Sequence, residues 1–155
     1  MIVNNIDREW KPNTTVAAIV ERDSRFLMVE ENTPDGLRLN QPAGHLERGE
    51  TLLQAVIRET REESGWRFAP RGLLGVYLAD KPGSDITYVR FAFCGEALAP
   101  AADAPLDDGI VAVRWLTRDE IATQADRLRS PVVLRCVDDY LAGIIHPLEL
   151  IRDLR

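Results

Sequence analysis

Short apolar runs that alternate with polar residues recur along the chain, and this pattern predicts β-strands. The first two runs flank turn residues at 22–24 and therefore predict a hairpin. The predicted strands cover residues 14–20, 25–30, 37–40, 71–79, 86–94 and 110–116. Turn-forming residues predict loops at 32–36 and 80–85, and a stretch rich in alanine, proline and aspartate predicts a longer loop at 97–108.

A long helix interrupts the strands. Thr51 and Gln54 form a capping-box pair at its start, and Gly65 is placed to end it in the left-handed conformation. The side chains that should face the core share one side of this helix. They are Leu53, Val56, Ile57 and Thr60.

Two shorter helices are predicted near the C-terminus. Thr117 with Glu120 should cap the first in the same way as the long helix. Ser130 followed by Pro131 should start the second, and Gly143 should end it. Strands around a central helix, with further helices at the end, predict an α/β fold in which a mixed sheet lies between helices.

Composition adds bounds to this picture. With 155 residues, the chain is expected to form a single domain over residues 1–155 with one well-buried core. Its 45% hydrophobic and 28% charged residues are typical of a soluble globular protein. The formal net charge of −6 argues against nucleic acid as a partner. It also means that an anionic substrate would need a metal ion and local arginines.

The sequence indicates a cytoplasmic protein. The N-terminal residues lack a basic segment followed by an apolar one, and no apolar run approaches the ~18 residues of a membrane span. Cys94 and Cys136 are too few for a disulfide framework and are expected to be reduced, buried thiols. Together with the distant His45 and His146, they do not suggest a zinc site.

Three glutamates crowd onto one side of the long helix. At ~100° per residue, Glu62 and Glu63 fall on either side of Glu59. Like charges at i,i+4 cost about 0.2–0.5 kcal/mol, and acids in the last turn also face the negative end of the helix dipole. A hard divalent cation removes this repulsion because it takes oxygen ligands. The alternative interpretation is a solvated acidic face, with Arg58 offsetting part of the charge.

The spacing of this segment resembles a known family signature. The pattern runs Gly44, five residues, Glu50, seven residues, Arg58-Glu59, two residues, Glu62-Glu63, one residue and Gly65. Residues 44–66 thus resemble the Nudix box, which marks hydrolases of diphosphates linked to another moiety. Thr60 and Trp66 stand where the family prefers aliphatic residues, so both departures affect packing rather than chemistry.

Strings outside the box resemble one branch of the family, the NudJ phosphatases. They are residues 40–47 (NQPAGHLE), 128–131 (LRSP) and 147–149 (PLE). With strand patterns in matching order, the resemblance covers roughly residues 13–151. It implies the Nudix fold, an α/β/α sandwich with a mixed sheet.

The resemblance also implies a site for Mg²⁺, for which Mn²⁺ can substitute. Glu59 and Glu63 match metal ligands, Glu62 shares in the metal, and Glu59 is often the general base. The carbonyl of Gly44, or of the residue before it, usually adds a ligand. A residue without Cβ is expected there because the loop must pass close to the metal.

Other residues match supporting positions. Glu50 and Arg58 match a pair that braces the loop against the helix, so both are assigned supporting roles in catalysis. Many family members add an acid from a loop outside the box. Asp107 and Asp108 are the candidates by position, and Asp108 is taken as the candidate metal ligand. A plain Asp-Asp-Gly turn is the equal alternative.

Three residues are candidates for contact with the substrate. Tyr88 and Arg90 alternate with apolar residues and share one face of a strand. Arg90 could bind a phosphate and Tyr88 could stack on a base, but an exposed polar pair at a sheet edge is an equal alternative. His45 lies beside Gly44, where it either donates to a phosphate oxygen or braces the loop.

The resemblance implies an Mg²⁺-dependent phosphohydrolase of small molecules. The branch implies nucleoside tri- and diphosphates and thiamine-related diphosphates (hydroxymethylpyrimidine diphosphate and thiamine diphosphate), with release of orthophosphate. A second interpretation keeps the chemistry but takes ADP-ribose, a dinucleoside polyphosphate or another nucleoside diphosphate derivative. A third, a non-catalytic nucleotide sensor, is disfavoured because every box acid is present. Neither nucleic acid nor a membrane is expected as a partner.

Overall fold

Within residues 9–100 and 105–155, which the computed structural model describes, a mixed sheet has helices on both faces. In chain order the elements are β1 (Asn13–Arg22), β2 (Arg25–Thr33), β3 (Gly36–Asn40), β4 (Ala43–His45), α1 (Leu52–Ser64), β5 (Trp66–Asp80), β6 (Thr87–Pro100), β7 (Ile110–Thr117), α2 (Arg118–Ala122) and α3 (Val132–Leu141). Short 3₁₀ turns lie at Ala125–Arg127 and Leu148–Leu150.

The strands are ordered β3-β2-β1-β6-β5, with β4 also paired to β1 and β7 to β2. β1 and β6 run parallel, whereas the other pairs are antiparallel, so the predicted mixed sheet is confirmed. The predicted β1–β2 hairpin turns at Asp23 and Ser24, whose φ values are 51° and 62°. Two left-handed residues make a turn whose twist matches that of the flanking strands.

Two apolar cores, one on each face of the sheet, hold the layers together. On one face, Phe93 of β6 belongs to the same core as Val56 of α1. On the other face, Cys94 of β6 belongs to the same core as Val137 of α3. Cys136 lies in this second core too, and both cysteines are buried free thiols, as expected. The α/β/α sandwich is therefore confirmed, and β6 is covered on both faces.

Local end signals placed two of the helices correctly. Thr51 and Gln54 cap each other at the start of α1, and Gly65 ends it with φ of 76°. At the start of α3, the Ser130 hydroxyl accepts a hydrogen bond from the backbone N–H two residues on. Gly143, with φ of 79°, follows the C-terminal end of that helix. These contacts satisfy backbone groups that a helix end leaves without partners.

The cap of α2 is simpler than predicted. The Thr117 hydroxyl accepts a hydrogen bond from the N–H of Glu120, as expected. The return contact of a capping box is absent among the described contacts, because the Glu120 carboxylate instead lies 3.1 Å from Nη1 of Arg25. Pro131 directly precedes α3 in helical conformation.

The prediction for the buried side of α1 was partly wrong. Val56 and Thr60 are fully buried, and the Thr60 hydroxyl donates to the carbonyl of Val56 at 2.7 Å. Ile57, however, is 41% exposed, whereas Glu59 and Glu63 are buried. The reason is that α1 contacts β4 as well as the central strands, so its buried surface turns toward the glutamates.

Several strand boundaries also differ from the prediction. β5 begins at Trp66, directly after α1, because Trp66 pairs with Pro100 at the far end of β6. Residues 97–100 of the predicted loop are therefore strand, and residues 101–104 of that loop lie outside the described residues. β4 was not predicted. No helix in residues 9–100 and 105–155 is long and apolar enough to cross a membrane.

One ion network joins distant parts of the chain. The Glu30 side chain on β2 is only 9% exposed and accepts from Nε of Arg114 at 2.7 Å and from Nη2 of Arg127 at 3.0 Å. Hydrogen bonding to Arg114, with a further contribution from Arg127, holds the pKa of Glu30 below its ordinary value of 4.5. This network fastens β7 and the 3₁₀ turn before α3 to β2.

Glu30→Gln should lower the free energy of unfolding at neutral pH by about 1–3 kcal/mol, because both arginines lose a charged acceptor. A carboxylate whose pKa is depressed on folding stabilises the fold above its unfolded pKa, and this contribution is lost as pH falls through the folded pKa. The difference between wild type and variant should therefore shrink between about pH 6 and about pH 3, as measured by urea unfolding.

Glu96→Gln is the matched control, since Glu96 and its partner Arg71 have side chains 67% and 62% exposed. Its effect should be within about 0.5 kcal/mol at both pH values. A penalty for Glu30→Gln that stays constant over the pH range would contradict the assignment.

Candidate metal and active site

Three carboxylates from two separate elements meet at the C-terminal half of α1. Glu59, Glu62 and Asp107 each offer a ligand oxygen, and these oxygens lie within 4.8 Å of one another. Asp107 comes from the segment before β7, and its backbone N–H donates to the carbonyl of Glu62 at 2.9 Å. An acid from outside the helix therefore joins two acids on it.

Asp107 joins this carboxylate cluster, whereas Asp108, the candidate metal ligand, does not. Asp107 begins a turn in which its carbonyl accepts from the N–H of Ile110 at 3.2 Å, and Gly109 has φ of 92°. Because the Asp107 backbone is hydrogen-bonded to α1, its side chain lies beside the helix acids, and Asp108 is not part of that cluster. The segment therefore forms a turn, as one interpretation expected, and the same turn contributes Asp107 to the acid cluster.

Arg58 binds the acids on both sides of it. Its Nη1 donates to Glu59 at 2.7 Å and to Glu62 at 3.1 Å. Its Nε and Nη2 make a two-pronged contact with Glu50 at 3.0 and 2.7 Å, and Nη2 also donates to the carbonyl of His45 at 3.0 Å. The Arg58 contact holds the pKa of Glu50 below its usual range.

Gly44 lies against the Glu59 carboxylate. A Cβ added at Gly44 would overlap all three atoms of that carboxyl group, so no other residue fits without moving the Glu59 side chain. The sequence predicted glycine here because the loop must pass close to a metal. In the structure, the Glu59 carboxylate alone already leaves no room for a Cβ at Gly44.

Glu63 lies apart from the three clustered acids. Its Oε1 accepts the backbone N–H of Ala43 at 2.8 Å, and only 8% of the residue is exposed. Burial, together with a smaller effect of the nearby charge of Glu31, raises the pKa of Glu63 to about 8. Burial likewise raises the pKa of Glu59. Glu63 is therefore placed to hold the segment before Gly44 as well as to offer an oxygen.

Sequence reasoning missed Glu31. It lies at the end of β2, one residue beyond the predicted strand, opposite Arg38 of β3 and Ile110 of β7. Among the charges acting on Glu63, Glu31 has the largest influence. In the sequence, Glu31 is recognisable only as one of two glutamates that follow the apolar residues of β2. The pairing of β2 with β7 is what places Glu31 near the site.

The prediction that Arg90 faces the substrate was wrong. Arg90 is 9% exposed, and it donates to Oε1 of Gln41 at 2.9 Å and to Oδ1 of Asn40 at 3.0 Å. The cause is the cover of α3 on that face of β6, where an exposed face was expected. Burial of the guanidinium lowers the pKa of Arg90. Arg90 thus supports the segment leading to Gly44 from beneath.

Tyr88 and His45 lie beside each other. Their ring centroids are 6.1 Å apart with an interplanar angle of 66°, an edge-to-face arrangement. His45 is exposed and Tyr88 is half-buried. A polar and aromatic pair of this kind is compatible with the predicted contacts to a phosphate oxygen and to a base.

Comparison with known proteins identifies the family. The NUDIX domain matches residues 11–136. The chain belongs to the Nudix family. It is 38% identical over 144 residues to the phosphatase NudJ of Escherichia coli K12, covering 93% of each chain. A NUDIX hydrolase from Nitrosomonas europaea is 44% identical with a TM-score of 0.88, covering 92% of this chain and 97% of that chain.

A UDP-X diphosphatase superposes with a TM-score of 0.71 at 17% identity, over 89% of this chain and 66% of that one, and shows a shared fold alone. The chain is therefore a Nudix hydrolase that acts on phosphoanhydride bonds and resembles NudJ. Nudix enzymes generally use divalent metals. The donor set of this chain fits such an ion, because the clustered ligand atoms are all carboxylate oxygens.

Asp107→Asn should lower kcat by about 100-fold, the size of effect that one acid or base group supplies. Asp108→Asn is the matched control at the neighbouring position and should leave kcat within about twofold, because Asp108 is not part of the cluster. Steady-state release of phosphate under saturating metal tests both. Equal effects of the two variants would show that the loop, not the Asp107 carboxylate, matters.

Proposed function

We propose that this Nudix enzyme is an Mg²⁺-dependent phosphohydrolase of nucleoside tri- and diphosphates and of thiamine-related diphosphates, releasing orthophosphate. The substrates include hydroxymethylpyrimidine diphosphate and thiamine diphosphate. Resemblance to the phosphatase NudJ over 93% of the chain supports the release of phosphate. The observation that carries the proposal is the cluster of Glu59, Glu62 and Asp107, which brings oxygen ligands from α1 and from the segment before β7 together.

Mg²⁺, or Mn²⁺ in its place, would be held by these three carboxylates, with Glu63 and the carbonyl at Gly44 as further oxygen donors. When bound, the cation supplies neutralisation of phosphate charge and lowers the pKa of a water. The fit rests on the chemistry of the donors, since hard oxygen ligands suit Mg²⁺ and neither cysteine lies among them.

The chain's own residues would divide the remaining work. Glu59 is the proposed general base, because a buried carboxylate holds a proton more readily than an exposed one. Glu62, which is more exposed, would share in this role. Glu50 and Arg58 would fix the position of Glu59 relative to the loop. Arg58 donates to Oε1 of Glu59 and, on the loop, to Glu50 and to the carbonyl of His45.

The Tyr88–His45 pair is the proposed contact for the leaving group. Edge-to-face packing holds the two rings, and His45 remains exposed to donate a hydrogen bond. Two buried free thiols support a cytoplasmic location for the enzyme.

Activity should require Mg²⁺ or Mn²⁺, and Glu59→Gln and Glu63→Gln should each lower kcat by about 100-fold or more, because each removes a charged oxygen donor. Phosphate release with metal and with excess EDTA measures this. Glu47→Gln is the control, since Glu47 is an exposed acid 3.7 Å from Arg58 and outside the cluster. Turnover in EDTA, or near wild-type rates in both site variants, would refute the metal requirement.

Glu63→Gln should also keep or raise the unfolding midpoint without metal, because a glutamine oxygen can still accept the Ala43 N–H and, unlike Glu63, needs neither a buried charge nor proton uptake on folding. A marked fall in the midpoint would mean that the carboxylate itself holds the fold together at this point.

From a nucleoside triphosphate, the primary products should be the diphosphate and orthophosphate. The supporting observations are the NudJ-like strings at 40–47, 128–131 and 147–149. Chromatography of an early time course tests this. Monophosphate with pyrophosphate as the first products would place the cleavage at the other phosphoanhydride bond and separate this enzyme from a phosphatase.

A further inference from the structure

A substrate phosphate approaching this site meets an excess of negative charge. The chain carries a formal net charge of −6, and five acids lie near the C-terminal half of α1. They are Glu31, Glu59, Glu62, Glu63 and Asp107. A cation held by the acids offsets part of this charge, but binding of a diphosphate also calls for an arginine that is free to contact its oxygens.

The two arginines that sequence and position suggest first are not free. Arg58 uses all three of its nitrogens on Glu50, Glu59, Glu62 and the loop carbonyl at His45. Arg90 is buried on the face of β6 that α3 covers, and it is bound to two amide oxygens. Neither can bind a phosphate without breaking the contacts that shape the site.

Arg129 differs from both. Its backbone N–H donates to the carbonyl of Leu39 at 2.9 Å, so its Cα is held beside β3, at the start of the segment that leads to Gly44. Its side chain is 39% exposed, and Nε lies 3.9 Å from Oε1 of Glu31. That separation is beyond hydrogen-bond distance, so the guanidinium is loosely paired on a fixed backbone.

The partner of Arg129 lies at the edge of the acid cluster. Glu31 is the charge that most affects Glu63. The next residue, Asn32, donates its N–H to the carbonyl of Gly109 at 2.8 Å, within the turn that begins at Asp107. Arg129 therefore stands on the rim of the site, next to the end of β2.

The neighbouring arginines are held in other ways. Arg127, two residues earlier, is hydrogen-bonded to Glu30, whose side chain points to the opposite face of β2 from that of Glu31. Arg38 is paired directly opposite Glu31 on the adjacent strand β3, but its Nη1 donates to the carbonyl of Leu37 at 3.3 Å. Of these arginines, Arg129 combines exposure, a fixed backbone and a weak ion pair.

We propose that Arg129 is a substrate-binding residue that exchanges its loose contact with Glu31 for a phosphate of the bound diphosphate. A guanidinium matches two phosphate oxygens at once, and such charge-assisted contacts are stronger than a screened ion pair at 3.9 Å. The proposal rests on the phosphohydrolase function and adds a residue that recognises the substrate. Glu31 acts as a positioning residue that keeps the side chain on the rim.

Arg129→Gln should raise KM for ADP with Mg²⁺ by about tenfold to a hundredfold and leave kcat within about threefold, because binding that is equal in ground and transition states affects KM alone. A methylene-bridged ADP analogue that resists cleavage should bind more weakly by the same factor in titration calorimetry. Arg129→Lys keeps the charge but loses the planar guanidinium. Its KM and its affinity for the analogue should lie between those of wild type and Arg129→Gln.

Arg71→Gln is the matched control, since it also removes one arginine from an exposed carboxylate pair but on the β5–β6 edge. It should leave KM and analogue binding unchanged. Wild-type KM and analogue affinity in Arg129→Gln would overturn the proposal, whatever the effect on kcat, because a residue that only braced Glu31 would alter stability rather than binding. If Arg129→Gln does not fold, unaltered analogue binding by Arg129→Lys overturns it instead.

The outcome separates this inference from the proposed function. Wild type that binds the analogue through Arg129 without hydrolysing ADP or the other proposed substrates would end the proposed function and keep the binding role. If wild type hydrolyses ADP and Arg129→Gln has the same KM, the proposed function is kept and the binding role of Arg129 is overturned. Failure of wild type to bind the analogue would overturn the binding role, and only failure to hydrolyse all the proposed substrates would overturn the proposed function.

Discussion

The site depends on the way one guanidinium holds several carboxylates. Arg58 is bound to Glu59 and Glu62 on its own helix and to Glu50 on the preceding loop. The glutamates would otherwise repel each other at the negative end of a helix dipole, where each acid is disfavoured by about 0.3–1 kcal/mol. The same contacts join loop and helix. Arg58 thus both offsets the charge of the glutamates and fixes the position of the loop, so a change at Arg58 affects both.

Burial of acids is the second constraint on this arrangement. Glu59 and Glu63 occupy buried positions on α1 where an ordinary helix would carry apolar residues, and burial raises the pKa of both. Removing a carboxylate from water is costly unless it is hydrogen-bonded or paired. Each has one such partner: Arg58 for Glu59 and the Ala43 N–H for Glu63. Stability is given up here for a geometry that suits a cation.

Sequence reasoning succeeded where the determining contacts are local. The helix ends at Thr51 and Gly65 follow from caps within a few residues, and Glu59 and Glu62 come together because of the helical period. It failed where distant segments decide the environment. The alternation around Arg90 is compatible with an exposed face until α3, more than 40 residues later along the chain, covers it. Glu31 likewise gains its meaning only from the pairing of β2 with β7.

Asp107 is held beside α1 by a hydrogen bond to the last turn of that helix. Gly65 donates its N–H to the carbonyl of Arg61, and the N–H of Trp66 is bonded to the Ser64 side chain. The carbonyl of Glu62 would then lack a partner, as carbonyls in a last helical turn do. The N–H of Asp107 supplies it. The contact that completes the end of α1 therefore also brings the third carboxylate to the cluster, so the fold needs no separate device to add an acid from outside the box.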